Sequence, residues 1–63
     1  MEQADIWRTA RFLLSRYGAL AEQECDDRIA YYRAQKNTDG RLLWQSVKGA
    51  IARMRMPDLP PQP

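Results

Sequence analysis

From Asn37 to Met56 the chain reads NTDGRLLWQSVKGAIARMRM. Wound at 100° per residue, Leu43, Trp44, Val47, Ala50, Ile51 and Met54 gather within roughly a third of the circumference, the width of a stripe that faces a core. The pattern predicts an amphipathic helix over about 38–55, and such a stripe needs a partner. Asn37 or Thr38 can cap its start, and Asp39 puts a negative charge in its first turn. Gly40 is a weak spot there, costing up to about 1 kcal/mol against Ala. Pro57 disfavours helical geometry in the residue before it, so the helix fades near Met56.

The beginning of the chain repeats the pattern. Ile6, Trp7, Ala10, Leu13, Leu14 and Tyr17 make one arc and leave Arg8, Arg11, Ser15 and Arg16 outside it, which predicts a helix over about 4–17. Asp5 suits its positive N-terminal end and Arg16 its last turn, and Gly18 is free to take the left-handed conformation that stops a helix. A short connection then leads to a second helix over about 20–36, so these two helices should be close neighbours. Its apolar stripe is narrower: Ala21, Cys25, Ile29 and Tyr32, widened by the aliphatic stem of Lys36. Glu22, Glu24, Asp26 and Asp27 occupy its first half and Arg33 and Lys36 its second, the order the helix dipole favours, with Glu24 and Arg28 as an i,i+4 pair. No strand-like alternation and no internal repeat interrupts this plan. The expectation is an all-α, compact three-helix unit in a single domain over 1–56, followed by a disordered or extended proline-rich tail, PDLPPQP, over 57–63.

Size and composition change the picture in one respect. A chain of 63 residues buries only about 60% of the surface its unfolded form exposes, so its stability is marginal. A lone Cys25 allows no internal disulfide, and one Cys without any His cannot assemble a structural zinc site. Extra stability therefore has to come from good helix packing or from burial against a second chain. The first residues, MEQADIWRTAR, show neither a signal peptide nor a membrane span, so a cytoplasmic protein with a reduced thiol is expected. Net charge is +2, with the positive excess on the third predicted helix.

Four large apolar side chains have no place in a minimal core. Phe12 points away from the first arc, between Arg8 and Arg16 one turn on either side. Leu20 and Tyr31 form a second stripe on the second helix, and Leu42 lies off the main face of the third. Either these are scattered surface apolars, or they meet across a homodimer or protein-partner interface, where aromatic and Arg side chains are enriched. Arg41, Lys48 and Arg55 recur at i, i+7 and i+14 and form a basic row that could contact DNA or RNA phosphates. Against that stands the acidic second helix, which would weaken a binding face nearby.

Enzymatic chemistry has little to work with. The commonest general base, His, is missing, the acids of the second helix are spread around it, and no Gly-rich phosphate loop is present. Cys25 sits on a core stripe, where a thiol is usually a small buried hydrophobe. No catalytic residue, cofactor, metal or small-molecule substrate is expected. Trp7 and Trp44 each begin an apolar stripe and are expected to close one end of the bundle together. Pro57 and Pro60 satisfy a PxxP spacing, a short and common pattern.

The D-x-W-R-x-A of Asp5 to Ala10, the Gly18 stop, and the G-x-x-x-W of Gly40 to Trp44 followed by Ala50-Ile51 together resemble a family of very small uncharacterised proteins of alphaproteobacteria. The likeness spans about residues 5–54. Members carry a Gly-Asp pair at the second turn, where this chain has Lys36-Asn37. The resemblance implies a bacterial cytoplasmic origin and transfers no activity and no functional residues. On all these grounds the expected function is a non-enzymatic protein–protein interaction or self-associating helical module, with a small DNA- or RNA-binding regulator as the alternative.

Overall fold

The computed structural model describes residues 3–55, and these are all-helical but for the turn after α2. Met56 and the tail expected over 57–63 lie outside the described residues. The helices are α1, Gln3–Tyr17, α2, Ala21–Ala34, and α3, Thr38–Met54. A single turn of 3-10 helix, Gly18–Leu20, joins α1 to α2 with no non-helical residue between them. Along the backbone there are thus two helical stretches, 3–34, redirected at Gly18, and 38–54, in place of three separated helices.

Gly18 breaks the first run as its residue type foretold. Its φ of +54° is the left-handed conformation that glycine adopts without steric cost. The chain reverses there. Ile6, Tyr32, Leu42 and Leu43 border one groove at one end of the molecule, while at the other Arg55 reaches Ala19 and Glu22. So α1 and α3 run in the same direction and α2 runs against both. The expectation that α1 and α2 would be each other's close neighbours is corrected: both pack chiefly on α3, and only slightly on one another.

The second turn is tighter than expected and ends α2 at Ala34, two residues short of the predicted boundary. Asn37 N–H donates to the Tyr32 carbonyl (2.9 Å) and Lys36 N–H to that of Arg33 (3.0 Å), the paired bonds of a Schellman stop. That motif needs a left-handed residue, and Lys36 supplies it at φ +57°. Lys36 is therefore an exposed turn residue, and its stem does not widen the apolar stripe of α2. Asn37 belongs to both helices: while its N–H closes α2, its Oδ1 accepts from Gly40 N–H at 2.9 Å and caps α3.

Gly40 is more than a weak spot in that turn. A Cβ placed there would lie 2.5 Å from Tyr32 Cδ1 and 2.7 Å from Cγ, so the ring of Tyr32 rests on bare backbone. The core itself is small. It consists of Ala10 and Leu13 from α1, Ala21, Cys25 and Ile29 from α2, and Val47, Ala50 and Ile51 from α3. Ile6, Trp7, Leu14, Tyr17, Leu43, Trp44 and Met54 pack around it half-buried. Every one of these residues belongs to a predicted stripe.

Candidate interaction surface

The residues left off the stripes are the ones the fold leaves outside. Phe12, Leu20, Tyr31 and Leu42 are 59, 62, 60 and 49% exposed. They do not form one surface. Leu20 precedes α2, in the 3-10 turn, and Tyr31 is eleven residues further on, about 16 Å of helical rise away. Leu20 and Tyr31 thus stand about three helical turns apart. Leu42 lies at the opposite end from Leu20 and borders a groove of about 650 Å³ with Ile6, Tyr32 and Leu43. Tyr31 packs edge-on against Tyr32, ring centroids 5.2 Å apart at 79°.

Phe12 has the most distinctive surroundings. It sits on the face of α1 opposite Ala10 and Leu13, with Arg8 and Arg16 one turn before and after it, all exposed. Arg8 has a loose contact with Asp5, 4.0 Å between charged atoms, and neither Arg11 nor Arg16 has an ion pair among the described residues. This face is an aromatic side chain flanked by one arginine loosely paired with Asp5 and one with no ion pair among the described residues.

The basic row of α3 has the opposite character. Lys48 Nζ donates to Asp26 Oδ1 at 2.7 Å, and Arg55 Nη1 lies 3.6 Å from Glu22 Oε2. Arg55 also reaches the Ala19 carbonyl at 3.5 Å. The Asp26 hydrogen bond pushes the Lys48 pKa upward and keeps the ammonium charged. Only Arg41 of the row has no ion pair among the described residues. Two of its three cations thus fasten α3 to the acidic helix, a use that sequence spacing could not distinguish from phosphate binding.

The same seam explains Trp44. Arg28 pairs with Glu24 at 3.0 Å and holds its guanidinium 4.6 Å from the centre of the Trp44 ring, a cation–π contact on a half-buried indole. Trp7 borders a different groove, with Ser46, Ala50 and Arg53. The two indoles thus have different neighbours, though both pack on the same core. The Arg28 contact had a partial signal, the Glu24–Arg28 spacing, but nothing in the sequence pointed that arginine at Trp44.

Cys25 is fully buried. Burial pushes its thiol pKa up to about 11, with the nearby Asp26 adding to the shift. A thiol so placed stays protonated near neutrality, when nucleophilic work needs the thiolate. No helix among the described residues is long and apolar enough to cross a membrane. The chain matches no protein-family model, no curated protein and no solved structure.

Proposed function

We propose that this three-helix chain is a non-enzymatic interaction module that associates with a second copy of itself through the outer face of α1, centred on Phe12. The observation that carries the reading is the contrast in side-chain employment. Two of the three cations of the α3 row, Lys48 and Arg55, are occupied within the fold, while Phe12, Arg8 and Arg16 have no comparable internal role. A core of eight small and medium side chains gives a chain of this size a physical reason to bury more surface against another chain. The likeness to the small alphaproteobacterial proteins adds no activity to this reading.

DNA or RNA binding through Arg41, Lys48 and Arg55 is less favoured, because a phosphate would have to compete with Asp26 and Glu22 for two of the three cations. Sedimentation velocity over a wide concentration range tests the proposal. The wild-type chain is expected to pass from monomer to dimer, and Phe12→Glu to stay monomeric with unchanged helical circular dichroism. A wild-type monomer at every concentration would overturn it.

A further inference from the structure

The outer face of α1 cannot meet its own copy across a two-fold axis without setting Arg8 and Arg16 against the same arginines. Its partner surface must be acidic or aromatic, and one such surface exists on the molecule. The face of α2 turned away from α3 exposes Gln23, Asp27 and Tyr31. Asp27 has no ion pair among the described residues, in contrast to Glu22, Glu24 and Asp26. Both faces are i, i+4, i+8 rows: Arg8, Phe12 and Arg16 on α1, and Gln23, Asp27 and Tyr31 on α2. Each row runs along one face of its helix, so the two can be set side by side.

The heights of the two rows agree. Since Tyr17 and Ala21 are joined by one turn at the same end, distances along both helices can be counted from there at about 1.5 Å per residue. On that count Arg16, Phe12 and Arg8 stand about 1.5, 7.5 and 13.5 Å from the end, and Gln23, Asp27 and Tyr31 about 3, 9 and 15 Å. A two-fold axis parallel to the helices preserves those heights. It lays α1 of one copy antiparallel on α2 of the other, and α2 on α1 in return, so the contact closes on itself as a dimer.

Deepening the self-association reading and resting on it, we infer that the occupant of the Phe12 face is α2 of a second copy. Arg16 meets Gln23, Phe12 enters between Gln23 and Asp27 with its flanking arginines within reach of the carboxylate, and Arg8 stacks on Tyr31. The arginines give the contact its polarity: α1 binds α2, and α1 is repelled from α1.

A charge exchange tests this. One chain carries Arg8→Glu and Arg16→Glu, a second carries Asp27→Arg, and each is first shown to keep its helical circular dichroism. Each alone should lose at least about tenfold in dimer affinity, about 1.4 kcal/mol, and an equimolar mixture should form a 1:1 heterodimer of near wild-type affinity, because every reversed contact then faces its opposite charge. Weakening of the wild-type dimer by salt is expected alongside. A wild-type dimer whose affinity both variants leave unchanged would overturn this pairing while leaving self-association standing. A wild-type monomer that binds a fluorescent single-stranded oligonucleotide through Arg8 and Arg16 would overturn both.

Discussion

The outer face of α1 and the seam between α2 and α3 are built from similar materials and put them to different uses. Each has cations spaced along a helix beside an aromatic ring. In the seam the cations are bound: Lys48 to Asp26, Arg55 to Glu22, and Arg28 to Glu24 while it covers Trp44. On α1 the ring of Phe12 is open and the flanking Arg16 has no counter-charge among the described residues. Charge counted along the sequence put the positive excess on α3 and kept its basic row open as an alternative binding surface. Once the ion pairs are drawn, Lys48 and Arg55 are spent, whereas Arg16 beside the open Phe12 ring is not.

The comparison can be broken most severely with two neighbours on α1. Leu13 is 2% exposed and Phe12 59%, although they adjoin in sequence. Leu13→Ala should cost about 2–5 kcal/mol, enough to unfold a marginal domain, whereas Phe12→Ala should change monomer stability by no more than about 0.5 kcal/mol. Urea titrations at a concentration that keeps the chain monomeric measure both. A large loss from Phe12→Ala would place that ring in the core and end its candidacy as an interface residue.

On the seam side, Gly40→Ala separates local preference from packing. Propensity alone favours Ala, but its Cβ would meet Tyr32 below 3 Å. A net loss of about 1–3 kcal/mol is expected, with a displaced Tyr32 visible by near-ultraviolet circular dichroism. Lys36→Gly should act in the other direction. It relieves a left-handed non-glycine residue, and a gain of about 1 kcal/mol in thermal or urea unfolding is expected. The smallest effect belongs to Lys48→Ala, which removes an exposed ion pair. It should lower the urea midpoint slightly at low salt and leave it unchanged near about 1 M NaCl.

The three apolar stripes were legible because a 3.6-residue period survives any arrangement of the helices, and all eight residues buried among those described lie on them. Gly18 and Asn37 were legible for a related reason, since their conformational preferences act locally. Lys36 was not, because a lysine gives no sign that it must turn left-handed; that demand comes from the bonds of Tyr32 and Arg33 across the turn. Gly40 looked like a defect until Tyr32 lay over it. Of the candidate surface, the outward residues could be named from the wheel, but not how they are grouped. Leu20 and Tyr31 share a wheel direction, yet they stand about 16 Å apart along it. The ion pairs of Lys48 and Arg55 depend on which helix lies beside α3, a fact carried by tertiary packing alone.

The most direct test of the central claim, that the free surface is on α1 and α2 while Lys48 and Arg55 of the basic row are engaged within the fold, is a dilution series followed by amide nitrogen–proton correlation spectra. The account predicts concentration-dependent shifts confined to the neighbourhoods of Arg8, Phe12 and Arg16 and of Gln23, Asp27 and Tyr31. Shifts centred on Arg41, Lys48 and Arg55, or none at any concentration, would contradict it.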